Sequence, residues 1–129
     1  MSKSIRVLSV EPFAPGDESA SVTVQSDFDE VTTFCWPCEM SAGEFVANYL
    51  SAVGGNVRAA FLEDWSQAEK DAASSDMLLR VGHFSYRGRG FVIDRSAGVV
   101  QVRGFNIDFG DVPCDGYVEF EIERLDLRG

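Results

Sequence analysis

Ser41-Ala42-Gly43-Glu44-Phe45-Val46-Ala47-Asn48-Tyr49-Leu50-Ser51-Ala52-Val53-Gly54-Gly55 decides how this chain divides between helix and sheet. Ser41 and Glu44 stand three residues apart, the spacing of a capping box, in which a hydroxyl accepts from the first helical amides and a carboxylate reaches back. Phe45, Val46, Tyr49, Leu50 and Val53 follow at helical spacing and would form one apolar stripe. Gly54-Gly55 offers the residue type that tolerates a left-handed helix end. The spacing predicts a helix over 41–55. Val57, Phe61, Trp65 and Ala68 repeat in the same way and predict a second helix over 57–72, although 66–76 is polar enough to read as a loop.

Outward from this segment the chain reads as strand. On the N-terminal side, Ile5 to Val10, about Ala20 to Gln25 and about Glu30 to Trp36 are rich in β-branched and aromatic residues, the last two with period-2 alternation. On the C-terminal side Met77 to Tyr86 predicts a strand. Phe91 to Asp94 and Val99 to Val102 predict hairpin arms around Arg95-Ser96-Ala97-Gly98. The apolar parity then slips. Val100 and Val102 share one phase and Phe105, Ile107 and Phe109 the other, so a bulge or tight turn belongs at Arg103-Gly104. The final strand, Tyr117 to Leu127, slips as well, between Ile122 and Leu125.

The expected fold is therefore α+β: a mainly antiparallel curved sheet or partly open barrel with one or two helices inserted in the middle. Three strands, a capped helix and further strands with glycine-marked bends resemble the strand order of an oligonucleotide/oligosaccharide-binding (OB) barrel. With 129 residues and no composition shift, a single domain over 1–129 is expected.

Charge is the clearest bulk property. Eleven Lys and Arg face twenty-one Asp and Glu, a net charge of -10. Residues 1–76 carry 4 basic and 13 acidic side chains, whereas 77–129 carry 7 and 8. Phosphate recognition needs clustered positive charge, so generic nucleic-acid binding is disfavoured, while an acidic face attracts basic proteins. No run approaches the length of a membrane-spanning helix or of a signal-peptide core. Three cysteines leave one unpaired, which points to a reducing cytoplasm.

Few residues carry a chemical signature. Cys35-Trp36-Pro37-Cys38 has the spacing of a redox dithiol, but no helix begins at its first cysteine to lower the thiol pKa. The same pair, with Cys114 and the only histidine, His83, would compose a Cys₃His set for a structural zinc ion; no other cofactor is suggested. His83 is also the one candidate general base, with Ser85 and Ser41 as hydroxyls and no nucleophile elbow around either. Phosphate-loop, dinucleotide and complete calcium-loop patterns are absent, and no pair of acids is singled out for glycosidase chemistry. Phe84, Tyr86, Arg87, Arg89 and Phe91 interleave aromatics with arginine, a pattern that can stack bases and hold phosphates. The leading expectation is a non-catalytic binding protein whose acidic face docks a basic protein, as an inhibitor or a toxin-immunity protein does. The alternatives are an OB-like module for single-stranded nucleic acid or a saccharide, and a thiol or zinc protein centred on Cys35 and Cys38.

Overall fold

The computed structural model describes residues 4–60, 66–68 and 76–127. They form twelve strands: β1 (Ser4–Pro12), β2 (Ala20–Gln25), β3 (Glu30–Cys35), β4 (Phe45–Ala47), β5 (Leu50–Val53), β6 (Asn56–Ala59), β7 (Met77–Arg80), β8 (Tyr86–Asp94), β9 (Val99–Val102), β10 (Phe105–Asp108), β11 (Tyr117–Ile122) and β12 (Arg124–Leu127). All belong to one sheet, in the order β4-β1-β2-β3-β12-β5-β10-β9-β8-β11-β6, with β7 paired to β8. β3 with β12 and β5 with β10 are parallel; the other pairings are antiparallel, so the antiparallel expectation holds. β4 runs into β5 through Asn48 and Tyr49 alone, and β5 into β6 through Gly54 and Gly55. Both ends of the strand order are thereby drawn back beside its middle, and the sheet closes over one buried cluster. That cluster includes Val7 and Val22 near one end, Leu50 and Leu125 in the middle, and Phe105 and Phe120 towards the other. Burying each of these side chains is worth roughly 1.5–3 kcal/mol.

The α+β expectation is overturned. The protein is almost all sheet, and no helix stands among the elements of the described residues. Among the described residues neither an inserted helical element nor an OB-like strand order is found. The 41–55 segment is a turn followed by β4 and β5. Gly43 has φ +92°, outside helical space, and its amide donates to the Val7 carbonyl at 2.7 Å. The Val7 amide in turn donates to the Glu44 carbonyl at 2.8 Å. The Glu44 carbonyl, which a helix would pair with an amide one turn further on, is thus taken by β1. The Glu44 carboxylate does reach back to the Ser41 amide, at 3.2 Å, but the contact closes a turn. The apolar stripe does not exist as a face, because Leu50 is buried while Phe45 is 68% exposed and Tyr49 and Val53 are also exposed. Helix spacing is a weak constraint when a strand partner is at hand. The second expected helix opens instead as β6, and its 61–65 and 69–72 portions lie outside the described residues.

The parity slips locate real bends. Arg103 (φ +49°) and Gly104 (φ +82°) are the two central residues of the β9–β10 hairpin, in which Val102 faces Phe105. Positive φ at both positions is what matches a two-residue turn to the twist of its strands. Glu123 separates β11 from β12 opposite Gly54-Gly55, so the paired ribbons β5–β6 and β12–β11 bend together. A side chain at Gly55 would overlap the Glu121 carbonyl, which is why the bend needs glycine there.

Candidate functional site

The aromatic and arginine set is divided by the pleat of β8. Tyr86 points into the core, 3% exposed, and its hydroxyl accepts the Thr32 amide proton at 2.8 Å. Arg87, Arg89 and Phe91 point the other way, Phe91 lying edge-on to Tyr117 at 5.3 Å. Their face is not basic. Glu119 sits opposite Arg89 and Glu121 opposite Arg87 across the β8–β11 ladder, and Arg58 of β6 faces Glu119 from the far side. The Arg89–Glu119 and Arg58–Glu121 separations are 3.9 and 3.5 Å. Phe84 belongs to neither group, for it packs with Phe13 and Phe34 at centroid distances of 6.1 and 5.8 Å. The five residues therefore make no continuous stacking platform.

The cysteine and histidine set is likewise dispersed. Cys35 closes β3 opposite Ala20 and is buried. The Cys38 amide donates to the Glu18 carbonyl at 2.7 Å, placing the second thiol against the same end of β2. Burial, followed by the hydrogen bond and charge of Cys38, pushes the Cys35 thiol up to about 12. That is opposite to the shift a dithiol nucleophile needs. His83 lies in the β7–β8 connection and Cys114 between β10 and β11. Among the described residues no three His, Cys, Asp or Glu side chains converge as metal ligands.

His83 does meet a serine, Ser21 rather than Ser41 or Ser85, with Oγ and Nε2 2.7 Å apart. The Arg80 guanidinium lies 3.3 Å from Nδ1. A guanidinium only donates, so Nδ1 is the acceptor and Nε2 carries the hydrogen that Ser21 accepts. A general base needs the reverse tautomer, with a carboxylate on Nδ1. This pair fixes the 82–85 loop over β2 and does not activate the hydroxyl.

The site that sequence reasoning missed is a groove of about 790 Å³ where β3 ends beside β4 and β12. Phe34, Trp36, Pro37, Met40, Val46 and Leu127 supply its apolar lining, and Glu39, Glu44, Asp126 and Arg124 its charges. Arg124 grips Asp126 through two hydrogen bonds, at 2.7 and 2.9 Å, and stacks on the Phe34 ring at 4.4 Å. Those bonds raise the Arg124 pKa further. With Arg124 and Asp126 neutralising each other, the remaining charges, Glu39 and Glu44, are negative. Trp36, 64% exposed, stands at the groove's wall in the turn that follows β3. The β1–β2 loop, with Asp17 and Glu18, adjoins the same turn through the Cys38–Glu18 bond. In the sequence Trp36 reads as the end of a strand and a spacer between two cysteines, and Glu44 as a capping residue; nothing local marks either as part of a groove.

No protein-family model, curated protein or solved structure matches the chain. No helix of the described residues is long and apolar enough to cross a membrane.

Proposed function

We propose that this is a binding protein whose Trp36 groove docks a basic segment of a partner protein. The observation that carries the reading is an exposed tryptophan in a groove whose uncompensated charge is negative. A guanidinium or ammonium over an indole face gains roughly 0.5–2 kcal/mol, and Glu39 and Glu44 add attraction that the Arg124–Asp126 pair does not cancel. The groove volume falls within the range of pockets that bind discrete ligands or side chains. Large aromatic anchors near a charged rim are also the residues on which protein interfaces concentrate their affinity.

The test is titration of the protein with an arginine-rich peptide, its acidic counterpart and a single-stranded oligonucleotide, at about 50 and about 500 mM salt. The basic peptide alone is expected to bind, and more weakly at high salt. Trp36→Ala should weaken that binding about tenfold while leaving the melting temperature nearly unchanged, because the side chain is exposed. Salt-independent binding, a preference for the oligonucleotide, or a Trp36→Ala variant that binds as well as the wild type would each overturn the reading.

A further inference from the structure

The turn that carries Trp36 is bracketed by two thiols. Cys35 is tied to Ala20 by the β2–β3 ladder, and Cys38 to Glu18 by its backbone, so both are anchored to one short stretch of chain beside β2. Within the turn the Cys35 thiol lies 3.9 Å from the Pro37 carbonyl, on the side of the chain that leads to Cys38. They differ in access: Cys35 is 1% exposed, while Cys38 is half-buried.

We propose that Cys35 and Cys38 form a reversible intrachain disulfide by exchange with a low-molecular-weight disulfide of the glutathione type, making the Trp36-Pro37 turn a redox-modified wall of the groove. The Cys38 thiolate attacks one sulfur of glutathione disulfide, forming a mixed disulfide and expelling one glutathione thiolate, which takes up a proton. Cys35 then loses its proton to solvent and attacks the Cys38 sulfur, breaking the mixed disulfide and releasing the second glutathione. Two protein thiols are oxidised and one glutathione disulfide is reduced to two thiols. The order follows from access and from the protonated state in which burial holds Cys35: only Cys38 can meet the reagent, and Cys35 is the slower, resolving partner. Because Cys35 is held at Ala20 and Cys38 at Glu18, the rearrangement needed for closure is confined to the 35–38 turn and leaves β3 in place. This inference goes beyond docking and does not depend on it.

The experiment equilibrates the native protein in glutathione buffers running from reducing to oxidising, quenches with an alkylating reagent and maps the three cysteines by mass spectrometry. The expected result is a fall from three labelled cysteines to one, Cys114, with a Cys35–Cys38 crosslink that dithiothreitol reverses. Cys38→Ser, at the half-buried position where folding is least at risk, should show no intrachain crosslink. Retention of all three thiols in the most oxidising buffer, or a disulfide that involves Cys114 instead, would overturn the proposal.

Discussion

Replacing Gly43 with alanine separates the sheet from the helix that the sequence suggests, because the two structures predict opposite signs. In a helix begun at Ser41, Gly43 would be an early helical residue and alanine would stabilise it by about 0.5–1 kcal/mol. In the sheet, Gly43 holds φ +92° and its amide is bonded to Val7. A Cβ at this position meets nothing within 4 Å, so no steric clash confuses the outcome. What remains is backbone strain of about 1–3 kcal/mol, less the 0.4–1 kcal/mol by which alanine restricts the unfolded chain. The net expectation is a loss of about 1–2 kcal/mol. For 129 residues, with an unfolding entropy of about 2 cal/mol/K per residue, each kcal/mol moves the midpoint by about 4 °C. Gly43→Ala should therefore melt about 4–8 °C below the wild type, and its urea midpoint should fall with the m-value unchanged. A variant that melts at or above the wild-type temperature would falsify the turn at Gly43 and restore the helix.

Two further outcomes follow from buried groups. Tyr86→Phe keeps the ring in the core but strands the Thr32 amide, and should cost about 1–3 kcal/mol in denaturant unfolding; an unchanged midpoint would show that the hydroxyl is not that amide's partner. Cys35 sets a pH dependence whose sign is fixed by its raised pKa: the folded chain holds the thiol proton more tightly than the unfolded one, so the contribution is fully present below about 9 and is lost as pH rises towards about 12. Stability should decline across that window by roughly 1 kcal/mol per pH unit more in the wild type than in Cys35→Ala, and equal slopes would refute the burial of this thiol.

The sequence shows its strands and bends wherever the signal is local. Side-chain parity is set within one strand, so the slips at Arg103-Gly104 and between Ile122 and Leu125 are legible without knowing any partner, and each is a bend in the structure. The 41–55 segment is not legible, because its conformation is decided by hydrogen bonds to Val7, more than thirty residues away. A capping-box spacing and a Gly-Gly end are common to a helix and to this turn. The local pattern could not choose between them.

Function divides along the same line. The excess of acid in residues 1–76 is a sum and can be read from composition, but its location at a groove is a product of topology. Glu39 and Glu44 become the groove's uncompensated charge only because Arg124, some eighty residues later, is brought alongside and then consumed by Asp126. Conversely, Arg87 and Arg89 look like a basic patch in sequence and lose that character when β11 lays Glu119 and Glu121 opposite them. Long-range strand pairing has thus moved the effective charge of this protein: it cancels the arginine-rich segment that invited a nucleic-acid reading and leaves two carboxylates beside Trp36. Under the proposed docking of a basic segment, neutralising the ladder glutamates Glu119 and Glu121 should weaken binding of the arginine-rich peptide far less than neutralising Glu39 and Glu44.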